Sequence, residues 1–219
     1  MYFILHYQGP LKSNGDAKHK NQIREYFHPQ LSELWSQPQI CSNRDRAFKN
    51  EQSISEKSKH LDTEITENSQ INELKKSQNK IEQHIESAMF PSLLKDVEGK
   101  YFVPLVCKKL DLVAELNITM LRTDAPGNII SQGGDIDNRI KTLLDALSVP
   151  DTNQVKKFKE DCTILNPVNC LLEDDSLITK LSISTSRLLN RFENNSDVIL
   201  LIGVTTQRVI QTVHNLSFY

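Results

Sequence analysis

The sequence predicts an α/β (α+β) fold, a mixed sheet flanked by helices, and three observations lead there. Strand-like runs rich in aliphatic and aromatic residues occur at the start, middle and end of the chain: Tyr2 to Tyr7, Lys100 to Val106, Leu110 to Arg122, and Asp197 to Thr206. Between them lie two segments with helical periodicity, Lys18 to Trp35 and Ile136 to Leu147. A long polar stretch without glycine then separates the first helix from the second strand, so a single domain spanning 1–219 is interrupted by an insertion at about 42–90 and a shorter one at about 148–171.

Taken in order, Tyr2 to Tyr7 partly alternates, and Gln8 to Asn14 breaks it with Gly9 and Pro10. In the first helix Ile23, Phe27, Leu31, Leu34 and Trp35 fall on one stripe, and Pro29 is expected to kink or split it. From Cys41 to about Ser87 the chain is rich in Ser, Asn, Gln, Glu and Lys. Its first half reads as a weakly ordered connection, and a thin apolar stripe suggests a helix from about Ser69 to Ala88. The insertion over 51–90 is a candidate surface for a protein partner, a dimer contact or a passive excursion.

Beyond Pro91, the run LDLVAELNITMLR places Leu112, Ala114, Leu116, Ile118 and Met120 on one side of a half-buried strand. The loop DAPGNIISQGG delivers the chain to the helix at Ile136. There Ile136, Ile140, Leu143, Leu144 and Leu147 form the apolar stripe, and steps of four place Asp137, Lys141 and Asp145 along a polar edge. After a second excursion carrying Lys156, Lys157 and Lys159, Leu172 to Ser186 reads as a strand that follows Asp174 and Asp175. The continuous apolar run DVILLIGVTT suits a central strand.

Composition excludes several classes. No apolar run approaches the roughly 18 residues of a membrane span, and the first ten residues lack the basic segment and small-residue cleavage site of a signal peptide. Cytoplasm is the expected location. Cys41, Cys107, Cys162 and Cys170 are scattered without CxxC spacing, which argues for incidental or buried thiols rather than zinc or disulfides. The net charge is −2, but residues 1–50 carry seven Lys or Arg against four Asp or Glu, so basic character lies near the beginning. No nucleotide-binding glycine loop, GxSxG elbow or HExxH motif is present, and the six histidines are dispersed.

The acidic residues around the second helix carry the chemistry. Mg²⁺ takes oxygen ligands and is usually held by a few carboxylates together with substrate phosphate oxygens. Asp135, Asp137 and one of Asp174 or Asp175 could supply such a set, with Lys141 offsetting charge on a phosphorane or positioning the attacking water. The same residues also admit a structural reading, in which Asp135 caps the helix, Asp137 and Lys141 form an exposed pair, and Asp174 and Asp175 belong to a turn.

The run Asp135-Ile136-Asp137-Asn138, followed by Lys141 and by Asp145-Ala146-Leu147, resembles the signature of the RusA-like Holliday junction resolvases. So does the later Asp174-Asp175 pair leading into an apolar run. The resemblance covers about 45 residues strictly, and the opening strand, Pro-containing loop and basic helix extend it more weakly. It implies a RusA-like mixed sheet and Mg²⁺-dependent endonucleolytic cleavage of branched DNA by a homodimer, with Mn²⁺ a possible substitute. It further implies that Asp135, Asp137 and Asp175 hold the ion with Asp174 as auxiliary ligand. Lys141 would stabilise the transition state, and Asn138 and Asp145 would orient the ligands. Lys12, Lys18, Lys20 and Arg24, with Lys156 and Lys157, are candidate phosphate contacts. Family members join the acidic helix to the acidic pair by a shorter segment than this chain has. A rival reading is a weakly active or inactive adaptor on the same fold that recruits partners through its insertions.

Overall fold

The computed structural model describes residues 1–37, 40, 93–123, 136–158, 167–189, 197–212, 215, 216 and 218. Expectations for the 51–90 insertion, the loop before Ile136, Asp135, Lys159, Cys41 and Cys162 fall outside them.

Two small mixed sheets share one core, with the helices packed against them. The chain runs through β1 (Tyr2–Pro10), α1 (Ala17–Ser36), β2 (Lys95–Val97), β3 (Lys100–Val106), β4 (Leu112–Arg122), α2 (Ile136–Leu147), α3 (Thr152–Phe158), β5 (Val168–Leu172), β6 (Ile178–Arg187) and β7 (Asp197–Arg208). The larger sheet has the order β1-β7-β4-β6, antiparallel except for the parallel β4–β6 pair. Parallel neighbours need a crossover. Here it carries α2, α3 and β5. The smaller sheet has the order β2-β3-β5, with β3 and β5 parallel. Pro104 is tolerated in its middle strand because β2 reaches only Lys100, Tyr101 and Phe102, leaving the position of the missing N–H unpaired on that side.

Strict alternation makes the larger sheet one-sided. Leu112, Ala114, Leu116, Ile118 and Met120 on β4 are buried with Val198, Leu200, Ile202 and Val204 on β7. The predicted interior place of β7 is observed, but its other face is open, with Leu201 exposed. Met1 extends the β1 ladder, its amine donating to the carbonyls of Thr206 and Phe218.

Helix α1 begins where Asp16 Oδ1 accepts the His19 N–H at 2.8 Å, an N-cap. It runs as one helix through Pro29. The kink or split expected at Pro29 is overridden, because Ile23 and Phe27 before the proline and Leu31, Leu34 and Trp35 after it all enter the same core. The helix packs against β1, β5, α2 and α3.

Two further boundaries differ from the sequence reading. Part of the presumed second excursion is structural: Val168 and Cys170 on β5 join Phe102, Val155 of α3 and Ala17 in a second small core. The strand expected from Leu172 to Ser186 is broken by a single 3-10 turn, Asp175–Leu177, because Asp174 caps that turn and Leu177 is drawn into the main core.

Candidate metal and nucleic-acid site

Amphipathicity seats α2. Ile140, Leu143, Ala146 and Leu147 are buried, while Ile136 and Leu144 pack at the margin of the core. Asp137 and Lys141 lie exposed on the opposite edge, about 6 Å apart along the axis at 1.5 Å per residue. Two contacts bind this helix to the β1–α1 connection. The Arg139 guanidinium donates to the Leu11 carbonyl, and Thr142 Oγ1 accepts the Gly15 N–H at 3.1 Å. A Cβ at Gly15 would stand 2.7 Å from the Thr142 methyl and 2.6 Å from the His19 ring, so the close approach requires glycine.

The second acidic group sits at the β5–β6 junction, and its neighbours hold its shape. Glu173 accepts the Lys108 N–H at 2.8 Å and pairs with Lys95 at 2.7 Å, while its own N–H donates to the Val106 carbonyl. Burial pushes its pKa up, but the hydrogen bonds and charges of Lys95 and Lys108 outweigh that and hold it below the usual glutamate value. Asp174 Oδ1 accepts the Ser176 N–H at 2.9 Å. Bonds from the Ser176 hydroxyl and N–H, with Lys108 nearby, keep Asp174 ionised further into acid than an ordinary aspartate. Asp174 and Asp175 are both exposed.

These donors suit a hard cation chemically, because all are carboxylate oxygens. Among the described residues, however, no group of three or more His, Cys, Asp or Glu side chains gathers closely enough to hold a metal. Asp137, Asp174 and Asp175 therefore do not close a site by themselves, and Asp135, the fourth carboxylate, lies outside the described residues.

Several expected contacts are corrected by burial. Lys20 is not a free phosphate contact, because its ammonium lies 2.7 Å from Asp145 Oδ2, with the two side chains only 18% and 25% exposed. Asp145 is thereby committed to bridging α1 and α2 rather than to orienting a ligand. Arg24 is 1% exposed and donates to the carbonyls of Ser148 and Asp145 and to Asn21 Oδ1, so it cannot reach a DNA backbone. Lys12, Lys18, Lys156 and Lys157 are on the surface. Lys156 approaches Glu98 at 3.4 Å across α3 and the β2–β3 turn.

Sequence reasoning missed Arg139 and Glu173, whose work is positional. Nothing in their local pattern marks them, since each acts through a backbone carbonyl or amide supplied by a distant segment. Histidines His19, buried, and His28, half-buried, likewise serve as acceptors, for the Lys12 and Asn169 N–H groups respectively. Cys107 and Cys170 are buried free thiols, with burial raising each to about 11. Among the described residues no helix is long and apolar enough to cross a membrane.

In comparisons with known proteins, no family model matches this chain, and neither a curated protein nor a solved structure matches it.

Proposed function

We propose that this chain is a divalent-metal-dependent endonuclease acting on branched DNA, of the RusA-like kind. The observation that carries the proposal is the exposed Asp137–Lys141 edge on a helix whose other faces are locked into the fold. It is accompanied by a second exposed acidic pair at a braced turn. The helix that carries this edge is held in place by Arg139 to Leu11 and by Gly15 to Thr142.

In this reading Asp135, Asp137 and Asp175 would hold Mg²⁺, or Mn²⁺ in its place, with Asp174 as auxiliary. When bound, the ion lowers the pKa of a coordinated water and polarises the phosphoryl oxygen. Lys141, one turn from Asp137, adds positive charge where the phosphorane becomes more negative. Glu173 braces the turn that carries Asp175, and Asn138 would help orient the ligands. Lys12, Lys18, Lys156 and Lys157 remain for phosphate contacts. Two copies would be needed to nick both strands of a near-symmetric junction.

The test is Mg²⁺-dependent cleavage of a synthetic four-way junction. Asp137→Asn should abolish cutting while leaving the circular dichroism spectrum and junction binding near those of the parent. A variant that cuts as fast as the parent overturns the assignment. A parent that cuts no branched or linear nucleic acid in Mg²⁺ or Mn²⁺, yet retains a protein partner through residues 51–90, favours the adaptor reading.

A further inference from the structure

Strand interiors favour branched and aromatic side chains, and a glycine among them often marks a place where another group approaches the backbone closely. Gly203 in β7 is such a position. The register sets it between Ile4 of β1 and Asn117 of β4, with Ser182 of β6 next to Asn117. One row along stand Tyr2, Thr205, Glu115 and Lys180, one from each strand of the larger sheet. A Cβ at Gly203 would stand 3.1 Å from the Tyr2 Oη and 3.4 Å from its Cε2, so the tyrosine ring leans over the glycine.

These two rows line a hollow of about 210 Å³ on the face of the sheet turned away from the core. That is below the roughly 300 Å³ at which pockets for drug-sized ligands begin, so it takes a single ring system. Its two sides differ in chemistry. At one side Tyr2, 64% exposed, supplies an aromatic surface. At the other, two strands away and so about 10 Å off at the usual strand spacing, stand a carboxylate and an ammonium. The Gln207 amide donates to Glu115 Oε1 at 2.7 Å, whereas Lys180 Nζ lies 3.8 Å from Oε2, beyond hydrogen-bond length. Glu115 is thus steadied from behind, while its Oε2 and the Lys180 ammonium keep capacity to accept from and donate to a ligand. Further along the same face Ile4 and Leu201 are 58% and 44% exposed.

We infer that this hollow is a base-binding subsite, which takes one unpaired guanine of a nucleic-acid strand. An unstacked base packs on an aromatic side chain and offers its edge to polar groups. Among the common bases, guanine alone carries two adjacent donors beside an acceptor on its pairing edge. Its N1–H and N2–H groups match the Glu115 carboxylate, and its O6 matches the Lys180 ammonium. Adenine would set its N1 acceptor against a carboxylate oxygen, leaving both without a proton to share. A strand is the occupant rather than a free nucleotide, because the hollow has room for the base alone and the apolar surface at Ile4 and Leu201 continues it towards neighbouring bases. The inference does not need the nuclease reading, since a base subsite serves a binding protein equally, and its test reads affinity with no divalent cation present.

Fluorescence anisotropy would measure binding of the full chain to a labelled short thymidine strand carrying one central guanine, in EDTA at fixed ionic strength. The guanine strand should bind at least ~10-fold tighter than the same strand with a central adenine, equivalent to about 1.4 kcal/mol. Tyr2→Ala should weaken the guanine strand at least ~5-fold, the lower end of what a base–aromatic stack contributes, and Tyr2→Phe, which keeps the ring, should bind like the parent. Glu115→Gln, which exchanges an acceptor oxygen for a donor, should abolish the preference for guanine and leave the affinity for the adenine strand unchanged. Each variant should melt cooperatively, because the altered side chains face away from the core. Guanosine monophosphate should compete only at concentrations at least ~10-fold above those of the guanine strand. Equal affinity for the two strands, a guanine preference that survives Glu115→Gln, a Tyr2→Ala variant that binds like the parent, or competition by the mononucleotide at equal concentration overturns the inference.

Discussion

Lys20 Nζ on α1 lies 2.7 Å from Asp145 Oδ2 on α2, and one turn further along α1 Arg24 donates to the backbone carbonyl of the same aspartate. Two basic side chains that face a phosphate backbone in a sequence-level view are thus turned inward, onto the helix that carries the acidic motif.

The ion pair predicts a measurable coupling. In a double-mutant cycle with Lys20→Met and Asp145→Asn, urea denaturation should give about 0.5–1 kcal/mol, falling with added salt. Lys20→Met should leave the salt dependence of DNA binding unchanged, whereas loss of a true phosphate contact lowers the slope by about one. A reduced slope for Lys20→Met would show that the ammonium reaches DNA.

Arg24 should matter more to stability than Lys20. Its guanidinium satisfies the carbonyls of Ser148 and Asp145 just where α2 ends. Removing it by Arg24→Met should cost about 2–3 kcal/mol, because buried acceptors lose a charged donor. Arg24→Lys should recover only part, since an ammonium cannot span both carbonyls as a planar fork does. Denaturant midpoints measured without nucleic acid would check this, and a loss below about 0.5 kcal/mol would contradict it.

The adjacent aspartates should separate by role. Asp174 caps the turn through Ser176, a task asparagine also performs, so Asp174→Asn should be near neutral for stability and Asp174→Ala should cost about 1 kcal/mol. Asp175→Asn should instead leave the melting temperature unchanged and remove Mg²⁺-dependent cleavage, if the proposed ligand set is right. Loss of cleavage in Asp174→Asn with cleavage retained in Asp175→Asn would reverse the assignment of cap and ligand.

Stability should also report on His28. Its Nδ1 accepts the Asn169 N–H, and burial lowers its pKa below the ordinary 6.5. Between that lowered value and 6.5 the unfolded chain binds more protons than the folded one. This residue's contribution is therefore full above about pH 6.5, falls as the pH drops through that value, and stops falling below the folded pKa. His19, lowered by burial and by Lys12 against the opposing effect of Asp16, acts in the same direction. Melting midpoints from pH 7.5 to 5 should decline, and His28→Gln, which keeps an acceptor, should flatten the decline. An unchanged profile in the variant would refute the role given to His28.

The elements most legible in the sequence are those whose burial is periodic. Alternation over Leu112 to Arg122 and the helical stripe from Ile23 to Trp35 each require a single apolar environment along their length, and both took it. Leu172 to Ser186 misled because Leu177 satisfies an apolar pattern equally well as a strand residue or as the buried end of a 3-10 turn. Pro29 misled in the opposite sense, since the local loss of one N–H is smaller than the packing on both its sides.

By itself, the amino-acid order determined the mixed α/β class, the two amphipathic helices and the exposure of Asp137 and Lys141, because periodicity is a local property of the chain. Only the tertiary structure decided that Lys20 and Arg24 serve the α1–α2 contact, that Glu173 braces the acidic turn and that β6 ends the larger sheet among the described residues. Each of those depends on a partner group from a distant segment. Side-chain type alone does not say whether a charge will meet solvent or a buried carbonyl.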